Sequence, residues 1–144
     1  MVEEGEAPRE AALRELQEEL LLNKDQICYL GDTDKLYTGS SLIMYSFAAE
    51  VTEYQNTFSP TEVDEVFCVP LEFFLHTEPK CYVTYAKVEP EENFPYELIC
   101  GGREYNWRRR KEEVCFYQYE GHVIWGLTAK MMRAFVNIVK NLQM

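Results

Sequence analysis

The stretch Glu6-Ala7-Pro8-Arg9-Glu10-Ala11-Ala12-Leu13-Arg14-Glu15-Leu16-Gln17-Glu18-Glu19-Leu20-Leu21 carries the pattern that decides the fold. Pro8 suits the first turn of a helix, where its missing N–H is no loss. Arg9 to Leu21 contains no glycine, proline or β-branched residue, so a helix is predicted from about Pro8 to Leu21. Turning about 100° per residue from Glu15, Leu16, Leu20 and Leu13 fall near about 100°, 140° and 160°, which makes one buried stripe. Glu15, Glu18 and Glu19 fall near about 0°, 300° and 40°, so three carboxylates share the opposite face. Like charges three and four residues apart cost a helix about 0.2–0.5 kcal/mol per pair. Arg14 offsets part of this by pairing with Glu18, its i+4 neighbour. A divalent cation among the carboxylates accounts for the remainder; a solvated face of good helix formers is the alternative.

Working outward, Asn23-Lys24-Asp25 ends the helix. Strand-like runs follow at Gln26 to Leu30 and Ser41 to Val51, separated by a turn-rich stretch from Gly31 to Ser40. A loop from Glu53 to Thr61 leads to a short strand, Glu65 to Val69, and Pro70 precedes a brief helical or turn segment, Leu71 to Leu75. Cys81 to Val88 alternates as a strand, and Val114 to Tyr119 is a further strand candidate. Leu127 to Leu142 reads as a helix with Met131, Phe135, Ile138 and Leu142 on one face. The Gly101-Gly102 pair lacks a phosphate-loop context and reads as a turn. Helices at both ends with strands between them give an α+β architecture in one domain, residues 1–144.

Composition sets limits on function. The chain has 144 residues, is 47% hydrophobic and 14% aromatic, and so excludes intrinsic disorder and low-complexity polymer. With 25 acidic against 14 basic residues the formal net charge is −11, which argues against nucleic acid as a partner. No run approaches the ~18 apolar residues of a membrane span. The acidic N-terminal Met1-Val2-Glu3-Glu4-Gly5-Glu6 is no secretory signal. The five cysteines, Cys28, Cys68, Cys81, Cys100 and Cys115, form no C-x-x-C pair and are expected to be free core thiols in a reducing cytoplasm.

Glu6, seven further residues, then Arg14-Glu15-Leu16-x-Glu18-Glu19 match G-x5-E-x7-R-E-U-x-E-E-x-G-U, the Nudix box, within residues 1–22. The chain thus resembles a Nudix hydrolase. The resemblance implies an α/β/α sandwich with a mixed sheet and hydrolysis of a diphosphate in a nucleotide-derived small molecule, using Mg2+ or Mn2+. Glu15, Glu18 and Glu19 match the family's metal-binding positions, and Arg14 matches the arginine that orients the first of them. Glu18 and Glu19 are also the expected catalytic carboxylates, with Glu62 or Glu65 as the residue that activates water.

Two further segments carry the resemblance. Glu62-Val63-Asp64-Glu65-Val66-Phe67-Cys68-Val69-Pro70-Leu71 is similar to a segment common in Nudix proteins. Ile124-Trp125-Gly126-Leu127-Thr128-Ala129 is similar to the coenzyme A diphosphatase branch, which implies a strand running into the last helix, Thr128 as a helix cap, and Trp125 and Leu127 in the core. The box glycine would fall one residue before Met1, and the family's upstream strands have no counterpart, so an N-terminally truncated domain is expected, compensated by a homodimer. A catalytically inactive binding or interaction module with a Nudix fold is the alternative. Leu21 stands where the box has its second glycine, so the turn after the helix is expected to differ. Arg108, Arg109 and Arg110, with Arg103 and Lys111, form the one basic cluster and are candidates for substrate phosphate, Tyr105 and Trp107 for stacking; a solvated basic loop is the alternative. His76 and His122 are expected to be surface and structural residues.

Overall fold

Helix α1 runs over Pro8–Leu20, close to its predicted span. The computed structural model describes residues 2–37 and 43–142. Pro8 occupies the first turn, and the Glu10 carboxylate accepts the Ala7 N–H at 3.1 Å, satisfying one donor that the helix leaves open. Leu13 and Leu16 turn toward Tyr29, Tyr45 and Phe47 of the following hairpin, enclosing a small space of about 210 Å³. The leucine stripe is therefore the packed face, and the carboxylates lie away from it.

The hairpin is formed by β1 (Ile27–Tyr37) and β2 (Ile43–Val51), paired antiparallel from Ile27 opposite Val51 to Tyr37 opposite Ile43. The strand expected over residues 26–30 extends well beyond Leu30, through Gly31 and Asp32 of the expected turn. Register shifts between Tyr29 and Gly31 and between Asp32 and Lys35 absorb them as irregularities of the ladder rather than as a chain reversal. The rest of the predicted turn, residues 38–40, lies outside the described residues, as does the start of the second run, residues 41 and 42.

Residues 65–69 carry no strand pairing, contrary to expectation. An apolar run becomes a strand only when a neighbour takes its backbone groups, and this one is closed off by Pro70. Of the two forms open to the next segment, the structure takes the helix: α2 (Leu71–His76) follows and buries Phe74. His76 is exposed and hydrogen-bonds Glu72 one turn back at 2.7 Å.

Three antiparallel strands, β3 (Lys80–Ala86), β4 (Arg110–Tyr119) and β5 (His122–Trp125), make a second sheet in the order β3-β4-β5. Glu120 (φ 46°) and Gly121 (φ 89°) form the two-residue turn between β4 and β5, with both central residues left-handed as a tight hairpin requires. The class is α+β, as expected. Among the described residues the strands form two antiparallel sheets rather than one mixed sheet, because the paired neighbours are joined as hairpins or returns.

Helix α3 (Gly126–Leu142) follows β5 directly. Thr128 is its third residue and lies inside the first turn, so it does not cap the start. Ala129 and Val136, two turns apart, are the buried positions of this helix, whereas Leu142 at the end of the predicted stripe is exposed. Trp125 and Leu127 are exposed as well, which corrects their assignment to the core; Trp125 instead stacks on Phe116 across β4 and β5 at 6.0 Å.

The cysteines also differ from expectation. Cys81 and Cys115 face one another across β3 and β4 and form a disulfide, while Cys28, Cys68 and Cys100 are free and exposed. Facing positions of neighbouring strands bring Cβ atoms within bonding range, which no sequence spacing of 34 reveals. By contact density the chain divides into two compact units, Met1–Glu78 with Met131–Met144, and Pro79–Lys130. No helix among the described residues is long and apolar enough to cross a membrane.

Candidate metal centre on the first helix

The centre is built from the start of the chain. Glu6 N–H donates to the Glu3 carbonyl at 3.1 Å across a turn that Gly5 closes with φ 85°. Glu3 N–H in turn donates to the Glu6 carboxylate at 3.1 Å. This turn presents Glu6 to α1, where Arg14 Nε and Nη2 donate to its two oxygens at 3.0 and 3.1 Å. Arg14 Nη1 donates to Glu15 Oε1 and to Glu18 Oε2, each at 3.0 Å. One guanidinium therefore holds three carboxylates, which only its planar set of five donors allows.

Exposure falls toward the Glu6 end of this network. Glu6 is 16% exposed and Arg14 28%, against 54% for Glu18. The hydrogen bonds from Arg14 hold the Glu6 carboxyl below the usual carboxylate range, and the backbone bond at Glu3 adds to the effect. Hydrogen bonding to Glu6 raises the Arg14 guanidinium well above its already high ordinary value, so it remains a cation under all ordinary conditions.

The structure places Glu15, Glu18 and Glu19 on one helix, with Glu15 and Glu18 joined through Arg14. Glu19 is exposed, and among the described residues its carboxylate makes no hydrogen bond or ion pair. The three are not drawn into a tight ligand cluster; the one group of three close ligand atoms among the described residues is Cys81, Glu113 and Cys115, two of them tied up as the disulfide. The donor set on α1 nevertheless fits a hard divalent cation, because every side-chain donor is a carboxylate oxygen and Glu19 stands open to solvent.

The end of α1 is also organised. Leu21 takes the left-handed conformation, φ 54° and ψ 45°, and its N–H and that of Leu22 both donate to the Gln17 carbonyl. The turn expected to differ thus has the geometry the box glycine would give it, with leucine bearing the strain. Burial of the neighbouring Leu22 side chain gives a compensating hydrophobic contact for this ending. The loop beyond β2 docks here: Thr57 Oγ1 donates to the Leu20 carbonyl at 2.7 Å, and Ser59 N–H donates to the Glu19 carbonyl at 2.8 Å.

Glu62 follows three residues after Ser59 and donates its N–H to the Ser59 carbonyl at 3.1 Å, inside the turn anchored to the helix end. Glu65 lies beyond that turn and is exposed. The basic cluster belongs to the Pro79–Lys130 unit. There Arg110 opens β4 and pairs with Glu112 at 3.1 Å, Arg109 lines a cavity, and Arg108 is exposed.

Glu6, the first residue of the matched motif, has its role as the partner of Arg14, which the sequence alone does not assign. Its signal was the fixed eight-residue separation from Arg14, which reads as a spacing until the turn at Gly5 folds it back. A comparison with protein-family models matches the NUDIX domain over residues 1–91. No curated protein matches the chain.

Proposed function

Because the chain belongs to the Nudix family, we propose that it hydrolyses a diphosphate bond in a nucleotide-derived small molecule, with Glu15, Glu18 and Glu19 holding Mg2+ or Mn2+. The observation that carries this reading is the triple hold of Arg14 on Glu6, Glu15 and Glu18, which aligns the carboxylate face of α1. A divalent cation bound there supplies positive charge against the diphosphate oxygens and makes a water easier to ionise. Arg14 acts as a positioning residue: it fixes the side-chain directions of Glu15 and Glu18, and Glu6 fixes Arg14.

Glu62 is the preferred residue for taking a proton from water, ahead of Glu65. Its support is the turn after Ser59, bonded to the Glu19 carbonyl, which keeps this backbone at the carboxylate end of the helix. The substrate we favour is coenzyme A or a related nucleotide derivative, on the likeness of residues 124–129 to that branch of the family. A homodimer belongs to the same reading, supported by the exposed Leu30 and Tyr37 along β1.

Hydrolysis of coenzyme A and of nucleoside diphosphate compounds, followed with and without Mg2+ or Mn2+, tests the proposal. Wild-type protein should hydrolyse at least one of them only when metal is present. Glu19→Gln should lower that rate by about 100-fold or more, the scale on which a well-placed catalytic carboxylate acts. An unchanged rate in Glu19→Gln overturns the site assignment. Absence of metal-dependent hydrolysis in the wild type leaves the interaction-module alternative standing instead.

A further inference from the structure

Three cations, Lys87, Arg103 and Arg109, line one cavity of about 340 Å³ in the Pro79–Lys130 unit. Their convergence is local. This unit contains eight Lys and Arg against eight Glu, so it carries no net charge, and the whole −11 of the chain resides outside it. A cation cluster in so acidic a protein offers an anion a site that the rest of the surface repels.

Aromatic rings form the same wall. Tyr105 and Trp107 meet edge to face at 4.9 Å, and Phe94 braces Trp107 at 5.7 Å. The Arg103 guanidinium sits 4.7 Å over the Tyr96 ring, which holds its direction without neutralising its charge. The backbone beneath is tightly turned: Gly101 and Gly102 take φ 88° and 50°, Glu104 N–H donates to the Gly101 carbonyl, and Trp107 N–H donates to the Tyr105 carbonyl at 3.0 Å. Gly101, at φ 88°, takes a backbone conformation that favours glycine, and this turn shapes the wall from the chain itself.

We propose that this cavity binds a nucleoside monophosphate, its base against Tyr105 and Trp107 and its phosphate among Lys87, Arg103 and Arg109. The volume suits a ligand of that size. Asn106, also in the lining, offers an amide that can both donate to and accept from a base edge, and Glu104 offers an acceptor to a ribose hydroxyl. The inference does not rest on the hydrolase reading: apart from Lys87, these residues lie beyond the stretch matched to the NUDIX domain. Of the three consecutive arginines only Arg109 is in this lining, and the set is drawn from both ends of the β3–β4 connection.

Isothermal titration calorimetry on the whole chain, in EDTA so that no divalent cation takes part, supplies the test. AMP should bind saturably, and adenosine and inorganic phosphate should each bind about tenfold or more weakly, because each offers half of the recognition. Arg109→Gln and Trp107→Leu should each raise the Kd for AMP by about tenfold, and Glu19→Gln should leave it unchanged. Arg109 is exposed, so its variant probes the site even if Trp107→Leu unfolds. The proposal is overturned if AMP shows no saturable binding up to about 5 mM. It is equally overturned if phosphate binds as tightly as AMP, or if Glu19→Gln abolishes binding.

Discussion

Arg14 grips Glu6 through two parallel hydrogen bonds, Nε to Oε1 at 3.0 Å and Nη2 to Oε2 at 3.1 Å, across eight residues of sequence. This fork leaves Nη1 free to serve Glu15 and Glu18 at the same time. A lysine delivers a single point charge and cannot hold both sides. Arg14→Lys should therefore retain the helix but lower metal-dependent hydrolysis by about 10- to 100-fold, the usual cost of losing a residue that orients metal ligands. Steady-state rates over a Mg2+ titration would show it as weakened metal dependence. A variant with wild-type kinetics would remove Arg14 from the positioning role.

The same fork makes acid sensitivity predictable. Arg14 holds the Glu6 carboxyl below its ordinary value, so the folded state favours the ionised form. The stabilisation is complete above the ordinary carboxylate range, where both folded and unfolded chains carry the charge, and it is lost as pH falls through the depressed folded value. Melting temperatures of wild type and Glu6→Gln should differ near pH ~7 and converge in acid below about pH 4. A difference that grows on acidification contradicts the sign of this coupling.

Leu21 stores strain that glycine would relieve. An L-residue in the left-handed region is disfavoured by roughly 1–2 kcal/mol, and glycine is not. Leu21 is also 56% exposed, so little burial is lost with its side chain. Leu21→Gly should raise stability by about 1 kcal/mol, seen as a rise of about 2–4 °C in melting temperature for a chain of this size. Leu21→Ala keeps the strain and should show no such gain.

Helix α1 was legible because Pro8, the leucine spacing and the carboxylate face are local properties with one period. Features that depend on a partner were not. The run at residues 65–69 has strand composition but no neighbouring strand, and Gly31 and Asp32 look like a turn until a paired strand absorbs them as irregularities. The intrinsic preference of leucine is against this helix ending, and hydrogen bonds to the Gln17 carbonyl and burial of Leu22 override it. The family resemblance of residues 124–129 implies a core position for Trp125, yet a short strand at the sheet edge leaves it exposed over Phe116. The carboxylates and Arg14 were visible as a motif; the anchoring of Glu62 through Ser59 depends on a loop whose docking no spacing encodes.

The link between Cys81 and Cys115 makes the Pro79–Lys130 unit sensitive to reductant. Cross-linking residues 34 apart removes disorder from the unfolded chain, worth about 3–4 kcal/mol in the loop-closure account. Cys115 is fully buried on β4 while Cys81 on β3 is half-buried, so one sulfur of the bond is shielded by the folded sheet. Thermal unfolding with a thiol reductant should therefore occur at a lower temperature than without it. The double variant Cys81→Ala, Cys115→Ala should melt near the reduced wild type and ignore the reductant. Cys28→Ala, at an exposed free thiol, should keep the full response. If wild type melts alike with and without reductant, while mass spectrometry shows the thiols fully reduced, the disulfide contributes nothing to stability and the sheet holds by strand pairing and by packing such as that of Tyr117 and the Phe116–Trp125 stack.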